Sequence, residues 1–481
     1  MHIHIVAVSG TGMGSLAGLL KELGHDVSGS DVSFDPPMGP ALKEWGVRCL
    51  QGFDAAHLEP RPDLVVIGNV CRANNVEARA AIDGGLPYTH IAGALARFVL
   101  NDTSPLVVAG THGKTTTTSI VAHLLDRTGF APGFLIGGLP RSFARSFRAP
   151  GPRRLPTPES RGRKRPFVIE GDEYDTAFFE KSAKFLHYRP EVAILTSVEH
   201  DHIDIYPSLT SYLDAFEKFV ALLPETGLLI ANGADPLVRE VALHARAEVA
   251  YFALEGEDTG NVPPHWLAAP AESGPGGTAF DLFAGGMLAG RFATALPGRH
   301  NVKNVLAAVA AAAQGFGAKL GDLASALGSF EGVRRRQELL GTPRGISLYD
   351  DFAHHPTAVR ETLDALRARH PRGKLIAVFE PRSATACRKL HQDEYPRAFA
   401  SADYVLLAPL GRTNLAPDEM LDLDRVVSDI RSSGKQAERC ESIDALSIRI
   451  RQLANSGDTV ALLSNGAFGG LPRRLATELM S

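Results

Sequence analysis

Chemistry on phosphate is the first thing the sequence offers, at Gly110-Thr111-His112-Gly113-Lys114-Thr115-Thr116. The run follows an apolar strand, Leu106 to Ala109, and opens a helix expected from Thr115 to Leu125. Free backbone N–H groups and a helix dipole converge on an anion at such a place. Gly113 lets the backbone approach phosphate oxygens, Lys114 can neutralise β- and γ-phosphates, and the Thr115 hydroxyl can bind Mg²⁺. A strict P-loop would carry a glycine at position 108, where Val108 stands, so this is a shortened form. Glu170 closes a second strand, Phe167 to Ile169, and Asp172, Glu173 and Asp175 follow it. Four carboxylates this close repel one another unless cations lie near. Val198-Glu199-His200-Asp201-His202-Ile203-Asp204 follows a third strand, Val192 to Thr196. Carboxylates and imidazoles at strand ends are placed to ligate a metal, and spacing alone admits Mg²⁺ or Zn²⁺. Another glycine turn, Gly10-Thr11-Gly12-Met13-Gly14-Ser15, follows the first strand, and Ser30-Asp31 end the next. It misses the dinucleotide fingerprint by one residue, because Ser15 stands at the third glycine position.

These residues need strand ends to hold them, and the chain supplies three strand–helix blocks. At about 150 residues per domain, 481 residues suggest three domains. Ile3 to Val8, Asp26 to Gly29 and Leu64 to Ile67 are the strands of a first block, residues 1–103. The second block, 104–329, adds Leu228 to Ile230, a style change to antiparallel hairpins over 249–296, and an alanine-rich helix from Val302 to Gln314. The third, 330–481, has strands at Ile346 to Tyr349, Leu375 to Phe379, Tyr404 to Ala408 and Thr459 to Leu463. Strands alternating with helices predict an α/β protein: Rossmann-like first and third domains flank a mostly parallel P-loop-type sheet with antiparallel additions. Hydrophobic residues make up 44% and charged residues 22%, which excludes a largely disordered or coiled-coil chain. The net charge of −4 gives no excess of basic residues for nucleic acid. No apolar run reaches the roughly 18–20 residues that span a bilayer. Met1 to Leu20 lacks a basic flank and is broken by glycines, so it reads as strand and turn, not a leader. Cys49, Cys71, Cys387 and Cys440 form no C-x-x-C pair, which suits reduced thiols of the cytoplasm. Residues 150–166 are proline-rich and basic without an aromatic or a helical face, and read as a solvated loop. His2 and His4 alternate on a strand and read as partly buried.

Gly110–Thr116, Glu170–Tyr174, Glu199–Tyr206, His300-Asn301 and Asp350-Asp351 occur in an order that resembles the Mur ligases, the ATP-dependent enzymes that build the peptidoglycan stem peptide. The resemblance spans the whole chain. Asp35-Pro36-Pro37-Met38, Glu173 to Phe179, Asp350 to Ala358, Phe379-Glu380-Pro381-Arg382-Ser383 and Leu463 to Gly470 are similar to the branch that ligates a recycled murein peptide. After Phe379 the alanine-adding branch carries glutamine-proline-histidine-arginine instead, and it stands as the alternative.

The resemblance implies a reaction and a set of roles. L-Ala–γ-D-Glu–meso-diaminopimelate is joined to UDP-N-acetylmuramate, with ATP as co-substrate and Mg²⁺ as cofactor, through an acyl phosphate. Lys114 holds the β- and γ-phosphates, while Thr115 and Glu170 bind one Mg²⁺ and His202 a second. Asn301 resembles the adenine contact, Arg336 an arginine reaching the phosphates from the third domain, and Asp351 the ribose contact. Gly10, Thr11, Gly12, Met13, Ser30 and Asp31 would hold the UDP-sugar. Arg382 could clamp a peptide carboxylate with its two-pronged guanidinium, and His354 could contact substrate. The carbamylated lysine of several Mur ligases falls at Phe216, with Lys218 two residues on, so no carbamate is expected. A monomer or weak homodimer completes the expectation.

Overall fold

A computed structural model describes residues 1–151, 162–274, 276–412 and 414–479. Most of the basic, proline-rich segment lies outside the described residues. Three sheets follow one another along the chain. In the first, five parallel strands run in the spatial order Arg48–Gln51, Asp26–Asp31, His2–Val6, Leu64–Ile67, Tyr88–Thr89. The order reverses beside His2–Val6, which leaves a crevice at the carboxyl ends of the strands. His4 is fully buried rather than partly, because its imidazole bridges Ser28 and Glu77 beneath the sheet.

The central sheet has ten strands. Ser104–Ala109 lies between Val192–Leu195 and Pro166–Gly171, all parallel, with Ala109 opposite Leu195 and Gly171. Both central strands are buried at every position, so they read as unbroken apolar runs, as strands covered on two faces must. Helices Lys114–Arg127 and Arg299–Ala310 share one core on one face. Leu209–Val220 and Pro236–Ala242 cover the other, in a core that continues into the first domain. There Phe147 meets Trp45 edge-on at 4.8 Å and leaves no room for a side chain at Gly18, whose Cβ would fall 2.2 Å from the ring.

Two expectations change. Residues 249–296 are not all hairpins: Glu248–Leu254 runs parallel to Leu228–Asn232, and Trp266–Gly274 parallel to it in turn. The helix Pro236–Ala242 supplies the crossover that a parallel pair requires. Only Trp266–Gly274, Gly277–Ala284 and Met287–Thr294 alternate in direction. The alanine-rich helix keeps α-geometry over Arg299–Ala310 and widens to a π-turn at Ala311–Gly315, where the Arg163 guanidinium satisfies the Gly315 carbonyl at 3.0 Å.

The third sheet orders its strands Glu338–Gly341, Ser347–Asp351, Thr459–Leu463, Leu375–Phe379, Tyr404–Leu407, Gln436–Arg439. The first pairs antiparallel and the others are parallel. Helices Pro356–Arg369 and Leu423–Ser432 pack on one face, Ile443–Leu453 and Leu471–Glu478 on the other. Among the described residues no helix is long and apolar enough to cross a membrane.

Candidate active site

The glycine turn sits where strand Ser104–Ala109 ends and helix Lys114–Arg127 begins. Gly113 takes φ 80°, a left-handed conformation that glycine adopts freely, and a Cβ there would fall 2.6 Å from Asn304 Oδ1. The turn bounds a cavity of about 310 Å³ between the central and third domains. Lys114 folds back over its own loop, donating to Gly110 O at 2.5 Å and to both Glu173 oxygens at 3.0 and 3.1 Å. Burial alone would depress its pKa, but Glu173 and Asp172 outweigh it and raise the value.

Three of the four carboxylates in the acidic run pair with lysines of the chain. Asp172 pairs with Lys184 at 3.0 Å, and Asp175 with Lys181 at 3.2 Å. Glu173, wholly buried, accepts from Lys114, from His202 Nε2 at 3.1 Å and from the Tyr212 hydroxyl at 3.3 Å. The sequence gives Glu173 no role within the acidic run, and the structure makes it the hub. The clue was Tyr212 on the buried face of helix Leu209–Val220, which no short motif contains. Glu170 lies to one side, accepting from Gly137 N at 2.6 Å and Thr115 Oγ1 at 3.1 Å. Burial and the neighbouring Asp172 push its pKa up, against the Gly137 hydrogen bond and the charges of Arg336 and Lys114.

His202 stands at φ 53°, a left-handed residue beside the cavity. Backbone strain of this kind concentrates at functional sites. Tyr174 packs on its ring at 4.1 Å. Burial disfavours its charge, yet the bond to Glu173 and the charge of Asp201 raise its pKa. The same segment locks onto the glycine turn: Thr111 Oγ1 donates to Glu199 O at 3.0 Å and accepts from Glu199 N at 2.9 Å. The His112 side chain turns to Glu199 Oε2 at 3.2 Å. Burial opposes ionisation of Glu199, but the His112 and Thr357 hydrogen bonds and the charges of His112 and His355 bring its carboxyl down to about 2.

The third domain closes the cavity. Arg336 lies under Phe352, 4.7 Å from the ring centroid, and donates to Thr115 Oγ1 at 3.0 Å. Its neighbour Arg335 instead holds the Ser464 and Gly466 carbonyls. Asp351 spends both oxygens on backbone, accepting from Gln337 N at 2.6 Å and Ala353 N at 2.7 Å, so it also shapes the loop that carries Arg336. Asn301 lines the cavity, donating to Pro297 O and Gln337 Oε1. His354 lines it too; burial drops its pKa to about 4.

Other expected residues lie elsewhere. Arg382 follows strand Leu375–Phe379, half exposed beside Gly411 and Gly466 and outside the cavity. Gly10, Thr11, Gly12 and Met13 begin the helix Thr11–Glu22 in the first domain. Asp31 binds that loop to itself, accepting from Ser9 N at 2.8 Å and Val32 N at 2.7 Å. The Ser30 hydroxyl is buried with no partner there. Ser15 replaces the fingerprint's third glycine because its hydroxyl meets Ser146 of the central domain at 2.9 Å. Phe216 is buried against Phe185 and Tyr212, and Lys218 points to the surface, paired with Asp214.

A glycine turn and acids between a P-loop-type sheet and a closing third domain define a nucleotide-dependent ligase architecture, and the family models agree. Residues 2–103 match "Mur ligase family, catalytic domain", 108–312 "Mur ligase middle domain", and 335–466 "Mur ligase, glutamate ligase domain". The chain belongs to the Mur ligase family. It is 37% identical over 481 residues to the UDP-N-acetylmuramate–L-alanyl-γ-D-glutamyl-meso-2,6-diaminoheptandioate ligase of Escherichia coli K12, covering 100% of this chain and 98% of the relative. A UDP-N-acetylmuramate–L-alanine ligase of Roseiflexus sp. is 34% identical, over 97% of this chain and 96% of its own. Among solved structures, a murein peptide ligase from Psychrobacter arcticus superposes with a TM-score of 0.73 at 34% identity, over 100% of this chain and 99% of the other.

Proposed function

We propose that the protein is an ATP-dependent amide ligase joining L-Ala–γ-D-Glu–meso-diaminopimelate to UDP-N-acetylmuramate. The observation that carries this reading is 37% identity across the whole chain, third domain included, to a ligase of that name. Residues 1–103 would take the UDP-sugar, 104–329 the ATP, and 330–481 the peptide.

A lactyl carboxylate and a triphosphate repel, so positive charge must gather before in-line attack on the γ-phosphate. Lys114 would leave Glu173 for the β- and γ-phosphates, and Arg336 adds a second charge when the third domain closes. The carboxylate takes the γ-phosphoryl group and ADP leaves. The peptide amine then attacks the acyl phosphate, and phosphate departs as the amide forms. Asn301 would contact adenine and Asp351 ribose, and Gly10 to Met13 with Ser30 and Asp31 would receive the UDP. Mg²⁺ fits the chain's donors: Thr115 and Glu170 offer hard oxygens side by side at the cavity. Bound there, the ion screens phosphate charge. A second ion at His202 would need the imidazole neutral, displacing the proton that Glu173 now favours.

The test supplies Mg²⁺-ATP and UDP-N-acetylmuramate with either tripeptide or free L-alanine, and weighs the product by mass spectrometry. Amide product with tripeptide and none with alanine is expected. Turnover with alanine alone would overturn the assignment in favour of the alanine ligase, which the 34% identical relative keeps in view.

A further inference from the structure

Glu199 touches two domains at one atom. Its Oε2 accepts from His112 Nε2 at 3.2 Å within the central domain. The same oxygen accepts from Thr357 Oγ1 at 2.8 Å and lies 3.4 Å from His355 Nδ1, both of the third domain. Thr357 and His355 stand at the start of the 14-residue helix Pro356–Arg369, so the carboxylate also faces the positive end of a helix dipole. On its other side the Glu199 backbone is tied reciprocally to Thr111 of the glycine turn. Nothing in the proposed chemistry uses this carboxylate.

We propose that Glu199 is a positioning residue that latches the third domain shut and, through the same oxygen, orients His112 in the phosphate-binding turn. The physical reason is the number of partners. With the third domain away, Glu199 keeps only His112 and its imidazole is free to rotate with it. When the domain seats, a hydroxyl and a helix N-terminus arrive on the carboxylate and fix both side chains. Arg336 reaches Thr115 from the opposite flank, so closure is registered on both sides of the turn.

The inference rests on the ligase reading, and the experiment separates the two. Thr357→Val and Glu199→Gln are compared with wild type and Thr357→Ser in tripeptide ligation. In parallel, domain closure on adding an ATP analogue with Mg²⁺ is followed by energy transfer between dyes on the central and third domains. Thr357→Val is expected to lower kcat about tenfold and Glu199→Gln about ten- to hundredfold, as loss of hydrogen bonds to a charged group predicts. The closed fraction should fall in parallel, while the affinity for UDP-N-acetylmuramate holds. Thr357→Ser should restore both, and the double variant should be no worse than Glu199→Gln alone. A Thr357→Val enzyme that closes and turns over like wild type, or losses that multiply in the double variant, would overturn the latch. A wild-type enzyme that closes but ligates no tripeptide would instead overturn the substrate assignment, leaving the closure measurement to decide the latch.

Discussion

Replacing Glu173 by glutamine keeps its shape and removes its charge. The carboxylate holds Lys114 Nζ at 3.0 and 3.1 Å, His202 Nε2 at 3.1 Å and the Tyr212 hydroxyl at 3.3 Å, with no exposure to water. Breaking a buried ion pair from one side costs about 3–5 kcal/mol. Glutamine keeps a carbonyl acceptor, and Lys114 keeps the Gly110 carbonyl at 2.5 Å. The lower end, about 3 kcal/mol, therefore applies. For a domain of this size that lowers Tm by about 6–12 °C. Nucleotide should narrow the gap, because phosphate supplies the anion that Lys114 has lost. Lys114 no longer has to leave a carboxylate, so KM for ATP should stay level or fall. His202 keeps an acceptor but loses the charge that anchors it, so kcat should fall about 10- to 100-fold. The sign with pH follows from the native carboxyl. Burial raises its pKa, but Lys114 and His202 outweigh burial and hold it below the ordinary value of 4.5. Its contribution is thus present above about pH 4.5 and is lost as pH falls through the native value. Thermal melts of wild type and variant with and without Mg²⁺-ADP, and kinetics with ATP varied, give every quantity. An unchanged Tm, or a tenfold rise in KM for ATP with kcat untouched, would refute the hub.

Lys114→Ala should cut ligation by about 10²- to 10³-fold while circular dichroism stays native, because the phosphates lose a preorganised charge; retained activity would remove Lys114 from the site. Gly466→Ala places a Cβ 2.3 Å from Arg382 Cδ and must push that side chain aside. KM for tripeptide should then rise about tenfold with KM for ATP unmoved, and equal tripeptide KM would reject Arg382 as the clamp. His354 is held neutral by burial, with a pKa of about 4. Between pH 6.5 and about 4 the unfolded chain binds the proton and the native one does not, so stability falls on acidification, and denaturant titrations of His354→Gln should show a flatter fall. Chelation by EDTA should abolish turnover and added Mg²⁺ restore it; ligation undiminished without a divalent ion would refute the metal roles of Thr115, Glu170 and His202.

Much of this protein is legible in one dimension. Leu375–Phe379 and Thr459–Leu463 have the bounds read from the sequence, because strands buried on both faces are apolar along nearly all their length. The glycine turn is legible because its function needs neighbouring backbone amides, so its residues are contiguous. Tertiary structure decided what depends on separation in sequence. Only folding brings Arg336 onto Thr115, 221 residues away, or Thr357 onto Glu199, 158 residues away. Asp172 and Glu173 find their counter-charges on other elements: Lys114 heads a helix, and Lys184 follows the strand Glu180–Ala183. Charge acts through space, so a carboxylate's role is set by its neighbours in the fold and not by its neighbours in the chain.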